Sequence, residues 1–437
     1  MLDPAKRAAM YRKIAWRLIP FLFVCYIVNF VDRTNIGFAQ LALKEQLNFS
    51  NAIYGLGAGL FYVGYILFEV PSNLLLQRTG ARRTILRIMV LWGLLSISMA
   101  AVKTPGHFYL VRFLLGAAEA GFMPGILFYL SCWIPAARRA RFIALFMLAI
   151  PLSGVIGSPI SGSIMQSMER VASLHGWQWM FILEGAPAVL LGIVAWFVLA
   201  DGPARAPWLS GDEKLELEKS LRDEYRDPQP SHASGGWRIA RNPKLYLLAF
   251  FCVAMNGSIG GFSFWLPTII RSFGVKNPAT IGWIAVVPYA LGAVVLYCNG
   301  RHSDNTGERR WHATLSLGLA SGGWLLLPAV QHSPVLAMLL VTIATAGTLG
   351  TLACFWSLVP LYFPNERALA YATVSSLGSL GSLASPIVVG WIASVTGSVF
   401  LGTLYLGGLM LLASITLLAG TSREQVSRYA APRSVAD

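Results

Sequence analysis

Asp32, Arg33, Arg112 and Glu119 fall inside long apolar stretches of this 437-residue chain, Glu184 lies at similar depth, and Glu69 sits nearer the end of its stretch. A charge at the centre of a lipid-embedded helix costs roughly 2.5–3.5 kcal/mol, so charges kept there are expected to bind, pair or move ions. Tyr26, Asn29, Arg33 and Gly37 follow one another at intervals of three and four residues and share one helical face. Asp32 lies about 100° round from Arg33. The planar fork of Arg33 suits a substrate carboxylate, gripped by two parallel hydrogen bonds in low-dielectric surroundings; the alternative is a standing ion pair with a neighbouring acid. Arg112 and Glu119 are seven residues apart and lie on nearly one face. Loss of water favours the neutral form of a carboxyl group. Glu119 is therefore the first candidate for a coupling proton and Asp32 the second, with static charge balance for the two arginines as the alternative.

Glu69 precedes Pro71, and Glu184 precedes Gly185 and Pro187. Both are expected to accept from N–H groups freed at a helix break. The second half holds no charge deep in any apolar stretch. Its candidates for substrate contact are neutral: Asn256, Tyr289, Thr345, Thr348, Ser375, Ser376, Ser379 and Trp356, against the alternative that small polar residues serve helix packing. The histidines all fall in loops or at stretch ends, and no metal-ligand cluster or cofactor motif is apparent, so no metal and no cofactor are expected.

The elements that must position these residues are membrane spans. The chain is 55% hydrophobic and 12% charged, a combination foreign to soluble domains of this length. Stretches of about 20 apolar residues number twelve, centred near residues 27, 64, 93, 119, 153, 189, 257, 290, 321, 348, 381 and 409. The formal charge of +14 does not call for a nucleic-acid partner, because 27 of the 34 Lys and Arg residues fall on the side of the N-terminus. That asymmetry predicts a multi-pass inner-membrane protein with both termini cytoplasmic. The first span is expected to be retained rather than cleaved. The five cysteines fall in or beside spans and read as small buried apolar residues.

The sequence also repeats itself. Thr79, Gly80, Arg82 and Arg83 match Thr306, Gly307, Arg309 and Arg310 at an offset of 227, which also pairs Gly55 with Gly282, Tyr62 with Tyr289 and Ser158-Pro159-Ile160 with Ser385-Pro386-Ile387. Six spans per half, an even number, make the repeat parallel. The expected domains are residues 1–200, a six-helix bundle; 201–243, a charged cytoplasmic linker holding a solvated surface helix capped by Ser210; and 244–437, a second six-helix bundle with a cytoplasmic tail. The Gly- and Ser-rich runs Gly154 to Gly162 and Ser375 to Pro386 read as surfaces where helices approach closely and slide.

Six plus six spans with a Gly-Arg-Arg loop after spans two and eight resemble the major facilitator superfamily over roughly residues 14–420. The segments NFVDRTNIGFA (Asn29 to Ala39), FEVPSNLLLQRTGARR (Phe68 to Arg83), RFLLGAAEAGFMPG (Arg112 to Gly125) and GWQWMFILEGAPA (Gly176 to Ala188) are similar to its anion:cation symporter branch. The resemblance implies an all-α membrane fold of twelve helices in two parallel-repeat bundles, and uptake of an organic carboxylate with protons. The substrates of that branch include aldonates, aldarates, tartrate, phthalate and hydroxyphenylacetate. It further implies gating roles for Arg82, Arg83, Asp304, Arg309 and Arg310, although Gln77 stands where the superfamily's loop carries an acid. Serines and threonines mildly favour a hydroxylated acid over an aromatic one; Tyr26, Tyr289 and Trp356 suit either. Antiport or export, a nutrient sensor and, last, a membrane enzyme are the rival functions. A monomer is expected.

Overall fold

A computed structural model describes residues 3–135, 146–226, 239–363 and 367–421, which are helical almost throughout. The chain runs through α1 (Pro4–Thr34), α2 (Ile36–Gln46), α3 (Asn51–Thr79), α4 (Ala81–Ser98), α5 (Pro105–Glu119), α6 (Phe122–Ser131), α7 (Ala149–Ser167) and α8 (Gly176–Val198). It continues through α9 (Gly211–Arg226), α10 (Pro243–Ser272), α11 (Pro278–Thr306), α12 (Arg310–Leu326), α13 (Pro334–Tyr362), α14 (Arg367–Thr396) and α15 (Val399–Gly420). Among the described residues, eleven segments are long and apolar enough to cross a membrane, α1–α2 and α5–α6 each counting as one. The fifth expected span, α7, completes twelve.

The internal repeat is visible in the helix bounds. Both α3 and α11 have 29 residues, and Asn51 and Thr79 stand 227 positions before Pro278 and Thr306. Each helix is followed by a glycine at positive φ, +82° at Gly80 and +67° at Gly307, the left-handed conformation that glycine adopts without a Cβ penalty and that ends helices. The side chain of Gln77 lies outside the described residues, as do residues 422–437 of the tail.

Contacts group the chain into two compact units, one of Met1–Arg33, Val63–Ser153 and Met168–Gln229, the other of Thr34–Tyr62, Gly154–Ser167 and Pro230–Asp437. In the first unit, α4 and α8 pack backbone to backbone: a Cβ on Gly93 would meet the Gly185 carbonyl oxygen at 2.8 Å and one on Gly185 the Gly93 carbonyl at 3.0 Å. In the second unit, α2, the start of α3 and the end of α7 pack against the second-half helices. Tyr54 donates to the Phe264 carbonyl at 3.0 Å, Thr268 donates to Gln40 at 2.6 Å, and Arg271 pairs with Glu45. Gly55 lies against the backbone at Pro386, Gly162 against Pro278 and Gly381 against Val253. The two Gly/Ser-rich runs are thus surfaces of close backbone approach.

Two expectations need correction. Proline does not break the helices beside Glu69 and Glu184, since α3 passes through Pro71 and α8 through Pro187 without interruption; neighbouring helices can compensate for a lost N–H in such spans. The interruption lies instead inside the fourth span, at Ala120 (ψ 131°) and Gly121 (φ +87°), where α5 ends and α6 begins.

The linker helix α9 is docked rather than solvated. Ser210 caps it as expected, accepting from the Glu213 amide at 3.2 Å while its own amide donates to the Glu213 carboxylate at 2.8 Å, a reciprocal capping box. Leu217 is fully buried, Ala206 and Leu209 are buried before the helix, and Leu215 is exposed. Two ion pairs join α9 to the start of α1, Arg7–Glu216 at 2.6 Å and Lys13–Glu213 at 3.0 Å. Trp208 stacks on Trp133 with ring centres 5.3 Å apart and lies under Arg17. Partial burial works to raise the Glu213 pKa, but the Ser210 amide and the Lys13 ammonium more than offset it and hold the group below the ordinary glutamate range. That stabilisation is present above the ordinary range and is lost as the pH falls through the lowered value. Leu217→Ala is expected to weaken the docking by about 2–5 kcal/mol. Amide hydrogen exchange should then quicken across residues 211–226 while the spans stay protected; unchanged exchange in α9 would contradict the docking.

Candidate functional site

The charged residues of the first half converge in the first unit. Arg33 is the penultimate residue of α1 and Glu119 the last of α5. Their side chains form an ion pair, Arg33 17% exposed and Glu119 1%. Desolvating two charges is costly unless attraction and hydrogen bonds repay it. Aromatic faces complete the seat of the guanidinium, with the Phe30 ring centre 5.1 Å and the Tyr65 ring centre 5.4 Å from it, a cation–π arrangement. Tyr65 is a residue that sequence reading missed, since a lone tyrosine on an apolar span gives no signal until α3 is laid beside α1.

Asp32 points elsewhere, as the 100° between neighbouring helical residues requires. It is 2% exposed and accepts from the indole N–H of Trp92 at 2.6 Å and from the Ser96 hydroxyl at 2.9 Å, both on α4. Glu184 of α8 is buried and close enough to interact with Asp32 electrostatically. The expected structural acceptor at a helix break thus belongs to the acidic cluster. Arg112 is 1% exposed, and Phe108, Arg112, Leu115 and Glu119 form the buried face of α5, which places Arg112 and Glu119 on one line as their spacing requires. Tyr26 is packed edge-on against Phe30 and Phe146. Asn29 is 1% exposed, with its amide nitrogen unbonded among the described residues. Glu69 is only partly buried and lies one helical turn beyond Tyr65 on α3, within electrostatic reach of it.

The second-half candidates lie in the second unit and do not form one cluster. Asn256 on α10 donates to the Cys252 sulfur of its own helix at 3.6 Å. Tyr289 on α11 lies against Gly154 and reaches Ser263 at 3.4 Å. With Thr34, Phe38, Ser158 and Ser161 it lines a small hydroxyl-rich cavity. Trp356 on α13 packs on Phe355 and Tyr371, and the Tyr371 hydroxyl donates to its carbonyl. On α14, Ser379 bonds back to the Ser375 carbonyl while Ser376 is exposed beside Leu380. Thr345 is fully buried with its hydroxyl unbonded among the described residues, and Thr348 bonds to Ser258 at 2.9 Å.

The loop residues expected to gate also separate. Arg82 lies 4.2 Å over the Trp196 ring, Arg83 is exposed, Asp304 pairs with Arg309 at 3.2 Å, and Arg310 donates to the Leu418 carbonyl. The cysteines are all unbridged, three of them buried and Cys298 exposed.

A family model described as "Major Facilitator Superfamily" matches residues 22–386 and again 276–434. A protein of Agrobacterium vitis named "Putative tartrate transporter" is 43% identical over 413 residues, covering 93% of this chain and 93% of its own. The "Quinolone resistance transporter" of Acinetobacter baumannii is 36% identical, covering 92% and 93%. Among solved structures, the xylose transporter XylE from E. coli in a partially occluded inward-open conformation is 15% identical with a TM-score of 0.73, covering 93% of this chain and 98% of that one.

Proposed function

The chain belongs to the major facilitator superfamily and is a multi-pass membrane transporter of a small molecule, not an enzyme; from that premise we propose that it takes up an organic carboxylate together with protons across the inner membrane, both termini being cytoplasmic. The observation that carries this reading is the buried ion pair of Arg33 with Glu119. A carboxylate already holds the guanidinium in the manner a substrate carboxylate would. Anion and glutamate therefore compete for one partner, and a proton on Glu119 settles the competition in favour of the anion.

The cycle follows from that competition. On the outer side Glu119 takes a proton, Arg33 is released and the anion binds it. Neutral acids and a paired arginine leave little uncompensated charge, so the loaded protein can change the side to which it opens. On the inner side the proton leaves, Glu119 reclaims Arg33 and the anion is expelled. Asp32 is the second proton site, and Arg112 balances the charge of Glu119 along the face of α5. The proton is the coupling ion, no cofactor takes part, and a monomer suffices. The relatives named for tartrate favour a hydroxylated acid. The rings of Phe30 and Tyr65 beside Arg33 fit an aromatic acid as well.

The name of the quinolone-resistance relative favours a second reading, antiport or export. Direction separates the two. In proteoliposomes given an acidic exterior, symport predicts inward movement of labelled tartrate, or of whichever acid raises the melting temperature of the purified protein most. Outward movement driven by the same pH jump would replace symport with antiport.

A further inference from the structure

We propose that Trp92 and Ser96 are positioning residues for Asp32, and that their two hydrogen bonds set the pH at which Asp32 gains and loses its proton; this rests on the proton-coupled reading above. The indole N–H donates to one carboxylate oxygen at 2.6 Å and the hydroxyl to the other at 2.9 Å. Trp92 is fully buried, Ser96 is 1% exposed and Asp32 2%, so bulk water does not compete for either oxygen. An indole N–H is a donor only, and it therefore has one preference: the ionised carboxylate. Glu184 on α8 and Glu119 on α5 interact electrostatically with Asp32, Arg33 adjoins it on α1, and Arg112 is buried on the same face of α5 as Glu119. Arg33 also pairs with Glu119. The two α4 donors each take one oxygen of Asp32 and are aimed at its charged form.

The second half supplies an internal comparison. Trp324 on α12, the third span of that half, donates through its indole N–H to Ser258 on α10, the first span, at 3.1 Å, with both residues buried. An indole of the third span thus binds a polar side chain of the first span in each half. In the second half the acceptor cannot titrate. Packing alone accounts for that bond, so a role in proton affinity belongs to Trp92 and not to the motif.

The test is a titration of the Asp32 carboxyl band by infrared difference spectroscopy on the purified full-length protein, the band being assigned by its loss in Asp32→Asn. Removing one donor to a charged acceptor is expected to move the midpoint to more alkaline pH by about one unit, in Trp92→Phe and in Ser96→Ala alike. Trp324→Phe should leave it in place. The pH profile of acid uptake should move with the band, and Trp92→Phe should not alter that profile further in an Asp32→Asn background. A midpoint unmoved in both α4 variants, with the native band still titrating, would overturn the positioning role alone. A native Asp32 band that does not titrate at all would overturn this role and the place of Asp32 in the proton cycle together. Should Trp92→Phe fail to fold, Ser96→Ala, which deletes one oxygen, carries the same decision.

Discussion

The Glu119→Gln protein is expected to exchange labelled for unlabelled acid across a membrane and yet to lose all pH-driven accumulation. Glutamine copies the shape of a protonated glutamate and cannot give up the proton. The variant is fixed in the form that leaves Arg33 to the anion, so loading and the change of side remain possible, while a proton on Asp32 alone cannot return Glu119 to Arg33 and expel the anion. A one-unit gradient is worth about 1.4 kcal/mol per proton, a factor of ten in accumulation. The native protein should reach that concentration ratio for each proton it couples through Glu119, and the variant should stop at equality. Anion affinity at neutral pH should rise, since the internal competitor for Arg33 is gone. Counterflow and gradient-driven uptake in the same proteoliposomes check both halves of the statement; full accumulation by the variant would remove Glu119 from the coupling path.

The second large effect is expected at Arg33. In Arg33→Ala the anion loses a pair of charge-assisted hydrogen bonds of about 1.5–3 kcal/mol each, which predicts an affinity loss of at least about 100-fold in a thermal-shift or calorimetric titration. The same change strands Glu119, 1% exposed, without its cation. Breaking a buried pair from one side costs about 3–5 kcal/mol, so the melting temperature of the variant should fall. Arg33→Lys keeps the charge and loses the fork; its affinity should lie between the two. Native affinity in Arg33→Ala would end the carboxylate-anchor role.

Much of this was legible in the residues. Apolar runs of span length and a constant offset of 227 predicted the helices and the repeat, and α3 and α11 reproduce that offset at both ends. Burial of Arg112 with Glu119 followed from a spacing of seven, because one helix fixes which of its own residues share a face. What could not be read were pairings between helices. The open alternatives for Arg33, a substrate carboxylate or an internal acid, differ only in which side chain of another span comes within reach, and α5 placed against α1 supplies Glu119. The donors to Asp32 are a tryptophan and a serine that any apolar span could carry. The prolines misled because Pro71 and Pro187 are helix breakers in water and are tolerated where neighbouring spans take over the lost bond. The docking of α9 was hidden by its charge: Glu213 and Glu216 read as solvated until Arg7 and Lys13, some 200 positions earlier, come to meet them.

The interruption at Ala120 and Gly121 places Glu119 at a fulcrum. Beyond it α6 extends for 10 residues, roughly 15 Å at 1.5 Å per residue. A turn of about 10° around the glycine would swing the far end of α6 by roughly 2.6 Å over that length and leave the carboxylate nearly stationary. Leverage of this kind would let one end of the span sweep while Glu119 stays beside Arg33, and it needs a residue at φ +87° with no side chain, because a Cβ there would strike the Ser72 hydroxyl. Gly121 is thus a mechanical part, and its tolerance of substitution is set by geometry and not by polarity.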